Sequence, residues 1–317
     1  MTKGPHRWRE CVERAEAAAT ENGGVLSRAQ LRDLGIDRHM ESRQVESRRW
    51  RRHGRQSIAV HTGELDEVAA RWRALHEVGG DAVVDGVSAL LAAGVTGLPD
   101  DAVHVSVHHL ARAPRVPGVV VHKVSRRVPA EAAAAKRESD ALPQTPPALA
   151  TLRAAQWAVS DRQAALFLVL PVQQRIVRAE RLLEMHEHYP GRRRRAVVRQ
   201  LLLDIADGAH SLGELDFAAM CRRRGIPEPT RQSLVRTGRG RCYLDVRWDR
   251  IGLVVEIDGT QHVQGLNRTR DHLRDNALAL RDDTVLRIDL VGLRLEESAF
   301  MDQVVMAHQV LTARAGG

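Results

Sequence analysis

Residues 241–258, RCYLDVRWDRIGLVVEID, decide how the second half of this chain folds, because they read as two adjacent strands that each deliver a carboxylate. In the first strand Tyr243, Asp245 and Arg247 alternate with Leu244, Val246 and Trp248, so the period of two puts Asp245 on the face opposite the apolar residues. Residues 249–252 supply the turn. The next run, 251–257, is apolar and β-branched as a buried central strand should be, yet it carries Glu256 and then Asp258. An unpaired ionised group in such a place costs on the order of several kcal/mol, so a cation, an arginine or a protonated neighbour has to compensate it. Magnesium is one such cation, since it takes one or two carboxylates together with water and phosphate; manganese is a second candidate. The competing reading is an Asp and a Glu satisfied by arginine partners in an ordinary sheet, and this chain is rich in arginine.

Downstream, His262 is able to transfer protons near neutral pH, or else it caps a turn after Asp258 and Gly259 or lies in solvent. Residues 268–280 have helical spacing, with Leu273, Ala277 and Leu280 on one side and Arg270, Asp271 and Arg274 mostly on another. That pattern fits a solvated face with intrahelical ion pairs, or an arginine-bearing helix that positions a phosphate. Residues 284–290 read as a closing strand and 296–313 as a terminal helix.

An aspartate, about ten residues, then an acidic residue two before a fixed position on a second strand resembles the PD-(D/E)xK nuclease core. More closely, LDVRW, VVEIDGTQH, RDHLRDNAL and VLRI resemble the very-short-patch-repair-type (Vsr-like) nuclease domain, over residues 205–315. The resemblance implies that Glu214 is the helical acidic residue, that Asp245 and Glu256 are metal ligands with the backbone carbonyl of Ile257, and that Mg2+ is the cofactor. It also implies a catalytic set of Glu214, Asp245, Glu256, Asp258, Gln261, His262 and Arg274. Asp258 departs from the pattern by standing where lysine is expected, and no lysine follows Lys136. Gln261 or His262 then takes the lysine's part.

Composition sets the wider frame. A chain of 317 residues with 43% hydrophobic content is long enough for two or three cores. Net charge is +8, carried almost wholly by arginine, the side chain suited to bidentate phosphate contact, and nucleic acid is the natural partner. A high-GC genome also replaces lysine by arginine everywhere, so clustering matters more than abundance. The cysteines, Cys11, Cys221 and Cys242, show no paired metal-ligand spacing, which argues against zinc and a disulfide framework and fits a reducing cytoplasm. No apolar run reaches spanning length and no signal-peptide pattern opens the chain, so neither membrane nor export is expected.

At the N-terminus residues 8–22 are helical in pattern, Ser27 reads as the N-cap of a short helix, Asp37 as the cap of another running to Arg49, and RRHGRQSIAVHTG as a hairpin. Helix, turn, helix and hairpin is the order of a winged helix-turn-helix. Residues 21–62 resemble the winged-helix domain of AbiEi-type antitoxins, including RQVESRRWRR before the wing. In that frame Arg38, Arg43 and Gln44 face the DNA major groove, while Arg51, Arg52 and Arg55 meet phosphates or the minor groove. Further on, 81–98 reads as a helix, and AVHVSVHHL and VPGVVVHKV as two alternating strands whose histidines, His104, His108, His109 and His122, sit opposite valines. Residues 149–207 are helical in pattern, with the basic run GRRRR at 191–195 between helices.

The expectation is an α/β protein: a winged helix-turn-helix at 1–63, a small α/β region at 64–145, a helical connector at 146–204 and a restriction-endonuclease-like domain at 205–317. The expected function is DNA-binding, metal-dependent endonuclease action. Its alternative is a non-catalytic DNA-binding regulator of antitoxin type with a degenerate nuclease domain, and Asp258 favours it. A cognate toxin partner and a homodimer both stay open.

Overall fold

A computed structural model describes residues 5–99, 101–127, 131–132, 141–206, 215–236, 242–258 and 285–315. The chain is mixed α/β and divides into two compact units, 1–94 with 98–150, and 95–97 with 151–317. The expected segments 1–63 and 64–145 fall in the first unit except for 95–97, and 146–204 and 205–317 in the second except for 146–150.

The first unit opens with α1 (Pro5–Ala19), closed by a 3-10 turn at Thr20–Asn22 and by Gly23 at φ 64°. A side chain at Gly23 would also press an added Cβ to 2.6 Å from the backbone nitrogen of Ala69, so both backbone and space demand glycine. β1 (Val25–Ser27) leads into α2 (Arg28–Asp33), whose start is a capping box: Ser27 Oγ accepts from Gln30 N while Gln30 Oε1 accepts from Ser27 N. α3 (Arg38–Glu46) begins at the Asp37 cap and stops short of the expected Arg49, because Arg48 turns to φ 56°. β2 (Arg51–Arg52) and β3 (Ser57–Ala59) form the expected hairpin, and β3 lies between β1 and β2 in an antiparallel sheet. Beneath them Leu26, Leu31, Ile36, Trp50 and Ile58 pack on Cys11, Val12, Ala15 and Ala19 of α1. Burial of each large side chain stabilises by roughly 1.5–3 kcal/mol.

α4 (Glu67–Val78), capped by Asp66, follows, and its Glu77 reaches back to the hairpin turn. That carboxylate accepts from Arg55 N at 2.9 Å, Gln56 N at 2.8 Å and Ser57 Oγ at 2.8 Å. Gly54 makes room for it, since an added Cβ there would collide with the carboxylate. The expected helix at 81–98 is replaced by β4 (Val83–Val84) and a shorter α5 (Gly86–Ala92). The cause is pairing: Val83 and Val84 are fully buried against β5 (Val103–His108), and Asp85 then caps α5 through Gly86 N at 2.7 Å. β6 (Val119–Val124) runs parallel to β5, giving the order β4-β5-β6.

α6 (Pro147–Trp157) carries the chain toward the second unit, where α7 (Asp161–Gln173), α8 (Ala179–His188) and α9 (Arg195–Ala206) realise the expected helical run. The buried ALFLVLP segment lies in α7 and keeps Pro171 inside the helix. In the basic run Arg194 donates to Asp161 Oδ1 at 2.8 Å and to the Ala158 carbonyl, so it braces a helix junction. No helix among the described residues is long and apolar enough to cross a membrane.

α10 (Phe217–Arg223) precedes a four-stranded sheet of β7 (Arg231–Arg236), β8 (Cys242–Trp248), β9 (Leu253–Asp258) and β10 (Val285–Asp289), in the order β10-β9-β8-β7. The first three strands are antiparallel neighbours, and β10 runs parallel to β9. α11 (Leu290–Leu295) and α12 (Glu297–Ala315) complete the unit. The alternation expected for 241–258 holds: Leu244, Val246, Leu253, Val255 and Ile257 join Leu286, Ile288, Phe217, Phe300, Met301 and Val304 in one core. That core fixes which face of the sheet carries the polar side chains.

Candidate functional site

Register builds the site. On β8 and β9 Asp245 is directly opposite Glu256, and on β10 Arg287 is directly opposite Glu256 from the other side. Ser233 on β7 completes this row across the sheet. Directly opposed residues share a face and hold their Cβ atoms about 4.5–5.5 Å apart, so the two carboxylates are neighbours on the face turned away from the core. A parallel row beside it places Arg231 opposite Arg247.

Each carboxylate meets an arginine. Arg247 Nε donates to Asp245 Oδ2 at 2.8 Å, and Arg287 Nε approaches Glu256 Oε2 at 3.4 Å. The Asp245 side chain is 14% exposed and that of Glu256 38%. Asp245 Oδ1 is buried and has no hydrogen-bond partner among the described residues. Sheet pairing puts Asp245 there regardless of the desolvation it suffers, and one of its oxygens is left for another group.

A carboxylate pair of this kind is the ligand type a magnesium ion takes. Two adjacent carboxylates with an unused oxygen satisfy a cation that completes its shell with water and phosphate. They do not make a zinc-type site, since among the described residues no group of three His, Cys, Asp or Glu side chains could hold a metal. The Ile257 side chain points into the core at 0% exposure, between the two polar positions. Asp258 lies on the polar face opposite Tyr243 and Asp289. Asp289 itself is committed to capping α11, accepting from Gly292 N at 2.6 Å. Glu214, Gln261, His262 and Arg274 lie outside the described residues, as does the expected helix at 268–280.

Neighbouring charges are organised too. Arg231 Nη2 donates to Asp249 Oδ1 at 2.8 Å, which holds the Asp249 carboxyl below its ordinary range, with Arg247 adding to the effect. Trp248 Nε1 donates to the Pro227 carbonyl at 2.9 Å, tying the end of β8 to the segment after α10.

In the first unit the basic residues expected to meet DNA separate into three kinds. Arg38, Arg43, Arg51 and Arg55 are exposed, Arg38 at the first position of α3. Arg43 also lies over the Trp8 ring, 5.5 Å from its centroid, and Arg51 is 3.7 Å from the exposed Glu64. Arg52 is engaged differently: its Nε donates to Glu41 Oε1 at 2.8 Å and its Nη2 to Ser42 Oγ at 3.0 Å. Gln44 requires a correction, because it is 1% exposed on the inward face of α3, so its amide cannot reach a groove. Spacing explains this: Glu41 and Gln44, three residues apart, share the inward stripe of the helix. The outer surface of α3 instead presents Arg38, His39, Arg43 and Glu46.

Of the histidines of the middle region, His104, His108 and His122 occupy the face of β5 and β6 opposite Val105 and Val107, half-buried, while His109 follows β5 and is exposed. His104 Nδ1 and His122 Nε2 are 2.9 Å apart, so one imidazole is the donor and the other the acceptor.

Sequence reasoning passed over Arg247, Arg287, Glu41 and Glu77. Strand periodicity does place Arg247 beside Asp245, two residues on, whereas nothing local signals that Arg287 pairs with Glu256 or Glu77 with the hairpin. No family model matches the sequence, and no curated protein matches it.

Proposed function

We propose that this protein binds DNA through its first unit and hydrolyses phosphodiester bonds with the polar face of β8 and β9, as a metal-dependent endonuclease of the Vsr-like, PD-(D/E)xK type. One observation carries the reading: Asp245 and Glu256 stand in direct register on the face away from the core, and Asp245 keeps one buried oxygen without a partner. A helix, a three-stranded antiparallel meander and a fourth strand parallel to the third support it. In the first unit, helix, strand, two helices and a hairpin support the winged-helix reading, with exposed arginines on α3 and on the hairpin.

In this reading Asp245 and Glu256 hold Mg2+ or Mn2+. When bound, the ion supplies an activated water and charge neutralisation at the scissile phosphate. Asp245 would hold the ion through Oδ1, which has no partner among the described residues, while Oδ2 stays with Arg247, and the buried valine and isoleucine neighbours hold the strand that carries it. Glu214 orients a water, Gln261 or His262 places the nucleophile in lysine's stead, and Arg274 steadies the phosphate; these roles rest on the resemblance alone.

A second reading, a DNA-binding regulator whose nuclease fold is retained as a surface, is favoured by the arginine that meets each carboxylate and by Asp258 in lysine's place. Supercoiled plasmid incubated with the full-length protein in magnesium or manganese separates the two. Nicking that Asp245→Asn abolishes, with DNA binding retained, supports the enzyme. No cleavage across several metals and substrates, with binding intact, puts the regulator first.

A further inference from the structure

We propose that Arg247 is a phosphate-gripping residue of the DNA-cleaving face, held in position by Asp245; this rests on the nuclease reading above. Asp245 divides its oxygens, Oδ2 accepting from Arg247 Nε at 2.8 Å and Oδ1 having no partner among the described residues. A guanidinium has five N–H donors. Among the described residues Arg247 uses only Nε in a side-chain hydrogen bond, and its side chain is 44% exposed. Anchoring a guanidinium through Nε leaves its two terminal NH2 groups as an outward fork, the geometry that accepts two oxygens of a phosphate.

The neighbours differ. Arg231, directly opposite on β7, spends Nη2 on Asp249, and Arg287 Nε meets Glu256 at the longer distance of 3.4 Å. Arg247 therefore combines a short bond to a proposed metal ligand, 2.8 Å, with a side chain that still reaches solvent. One carboxylate then couples two functions: it orients the group that grips a phosphate and faces the cation that acts on the same backbone.

Charge balance gives the inference an independent signature. Asp245 and Glu256 carry two negative charges, and Arg247 and Arg287 two positive ones. A divalent cation entering without DNA is repelled by Arg247. A phosphate entering with the cation is drawn by it. Removing Arg247 accordingly strengthens metal binding to the free protein and weakens the hold on DNA, opposite directions that loss of a merely structural residue does not produce.

The test uses the full-length protein and Arg247→Gln. Manganese affinity is measured by calorimetry without DNA, and affinity for duplex DNA is measured in calcium over a range of salt. The variant should bind manganese roughly three- to tenfold more tightly. The slope of log affinity against log salt should fall by about one unit, the loss of one phosphate contact. Arg247→Lys, which keeps the charge but not the fork, should restore the slope while leaving affinity below wild type. An unchanged slope in a variant that melts like wild type overturns the proposal. Should Arg247→Gln not fold, Arg247→Lys decides alone, and wild-type affinity in it overturns the proposal too. Wild type that binds no manganese at millimolar concentration, with the slope still falling, instead removes the metal site and leaves Arg247 as a DNA contact.

Discussion

Replacing Glu77 by alanine tests the hairpin of the first unit most directly, because three hydrogen bonds end on one carboxylate. Arg55 N, Gln56 N and Ser57 Oγ would lose their acceptor, and Ser57 is fully buried. Hydrogen bonds to a charged group contribute about 1.5–3 kcal/mol each, and water reaching this half-buried site takes over part of that, so about 1 kcal/mol each is a fair working value. Glu77→Ala should then cost about 3 kcal/mol, and a unit of this size should melt roughly 6–12 °C lower. Glu77→Gln keeps an oxygen for Gln56 and Ser57 but turns an NH2 group toward Arg55 N, so it should cost about 1–2 kcal/mol. Burial alone would raise the Glu77 pKa, yet the bonds from Ser57, Gln56 and Arg55 outweigh it and leave the value below its ordinary 4.5. A depressed carboxylate pKa contributes stability that is complete above the unfolded value and lost as pH falls through the folded one. The gap between wild type and Glu77→Ala should therefore be full at neutral pH and shrink below about pH 4.5. Calorimetric melts at several pH values measure it. Melting temperatures within about 1 °C of each other at neutral pH would refute the reasoning.

Gly54→Ala should destabilise the same turn, since an added Cβ meets the Glu77 carboxylate and φ is 154°; thermal melting of the single variant, and of its combination with Glu77→Ala, should show losses that do not add. Arg51→Ala should weaken binding to all duplexes alike and leave melting unchanged, whereas Arg52→Ala should lower the melting temperature through Glu41, as mobility shift and calorimetry on one sample will show. Cys221, buried and with its thiol pushed up to about 12 chiefly by desolvation, should resist iodoacetamide at pH 8 until the second unit unfolds. Labelling of the native protein at the rate of a free thiol would contradict its burial.

Legibility in the sequence followed the range of the forces involved. Ser27 and Asp37 announced their caps because a cap is made within three residues, and the alternation of 243–248 announced a face because strand periodicity is local. The helix expected at 81–98 failed because Val83 and Val84 pair with a strand some twenty residues later, which no local pattern reveals. Gln44 misled for a different reason. The inward stripe of α3 is polar, Glu41 and Gln44, so a rule that sends apolar residues inside cannot find it. For the candidate site, the two carboxylates and their strands were readable, and Arg247 lies within the same local alternation, while the other arginine partner depended on register: Arg287 meets Glu256 only once β10 has aligned beside β9.

For the proposed DNA-binding role, Glu41 has a consequence for the speed of encounter. Its carboxylate, 6% exposed, receives Arg28 from α2 at 3.0 Å and Arg52 from β2 at 2.8 Å on the same oxygen, so two helices and the hairpin are joined through a single atom. Arg52 is 43% exposed and Glu41 keeps Arg28 when it leaves, so parting them costs about 1.5–3 kcal/mol, the worth of a hydrogen bond to a charged group, which still makes independent motion of the hairpin infrequent. In the DNA-binding role proposed for this unit, the arginines on α3 and the hairpin would reach a duplex already fixed relative to one another, with little ordering left to do on contact. Association should then be governed by electrostatic steering, fast and steeply dependent on ionic strength, with dissociation left to set how long the complex lasts.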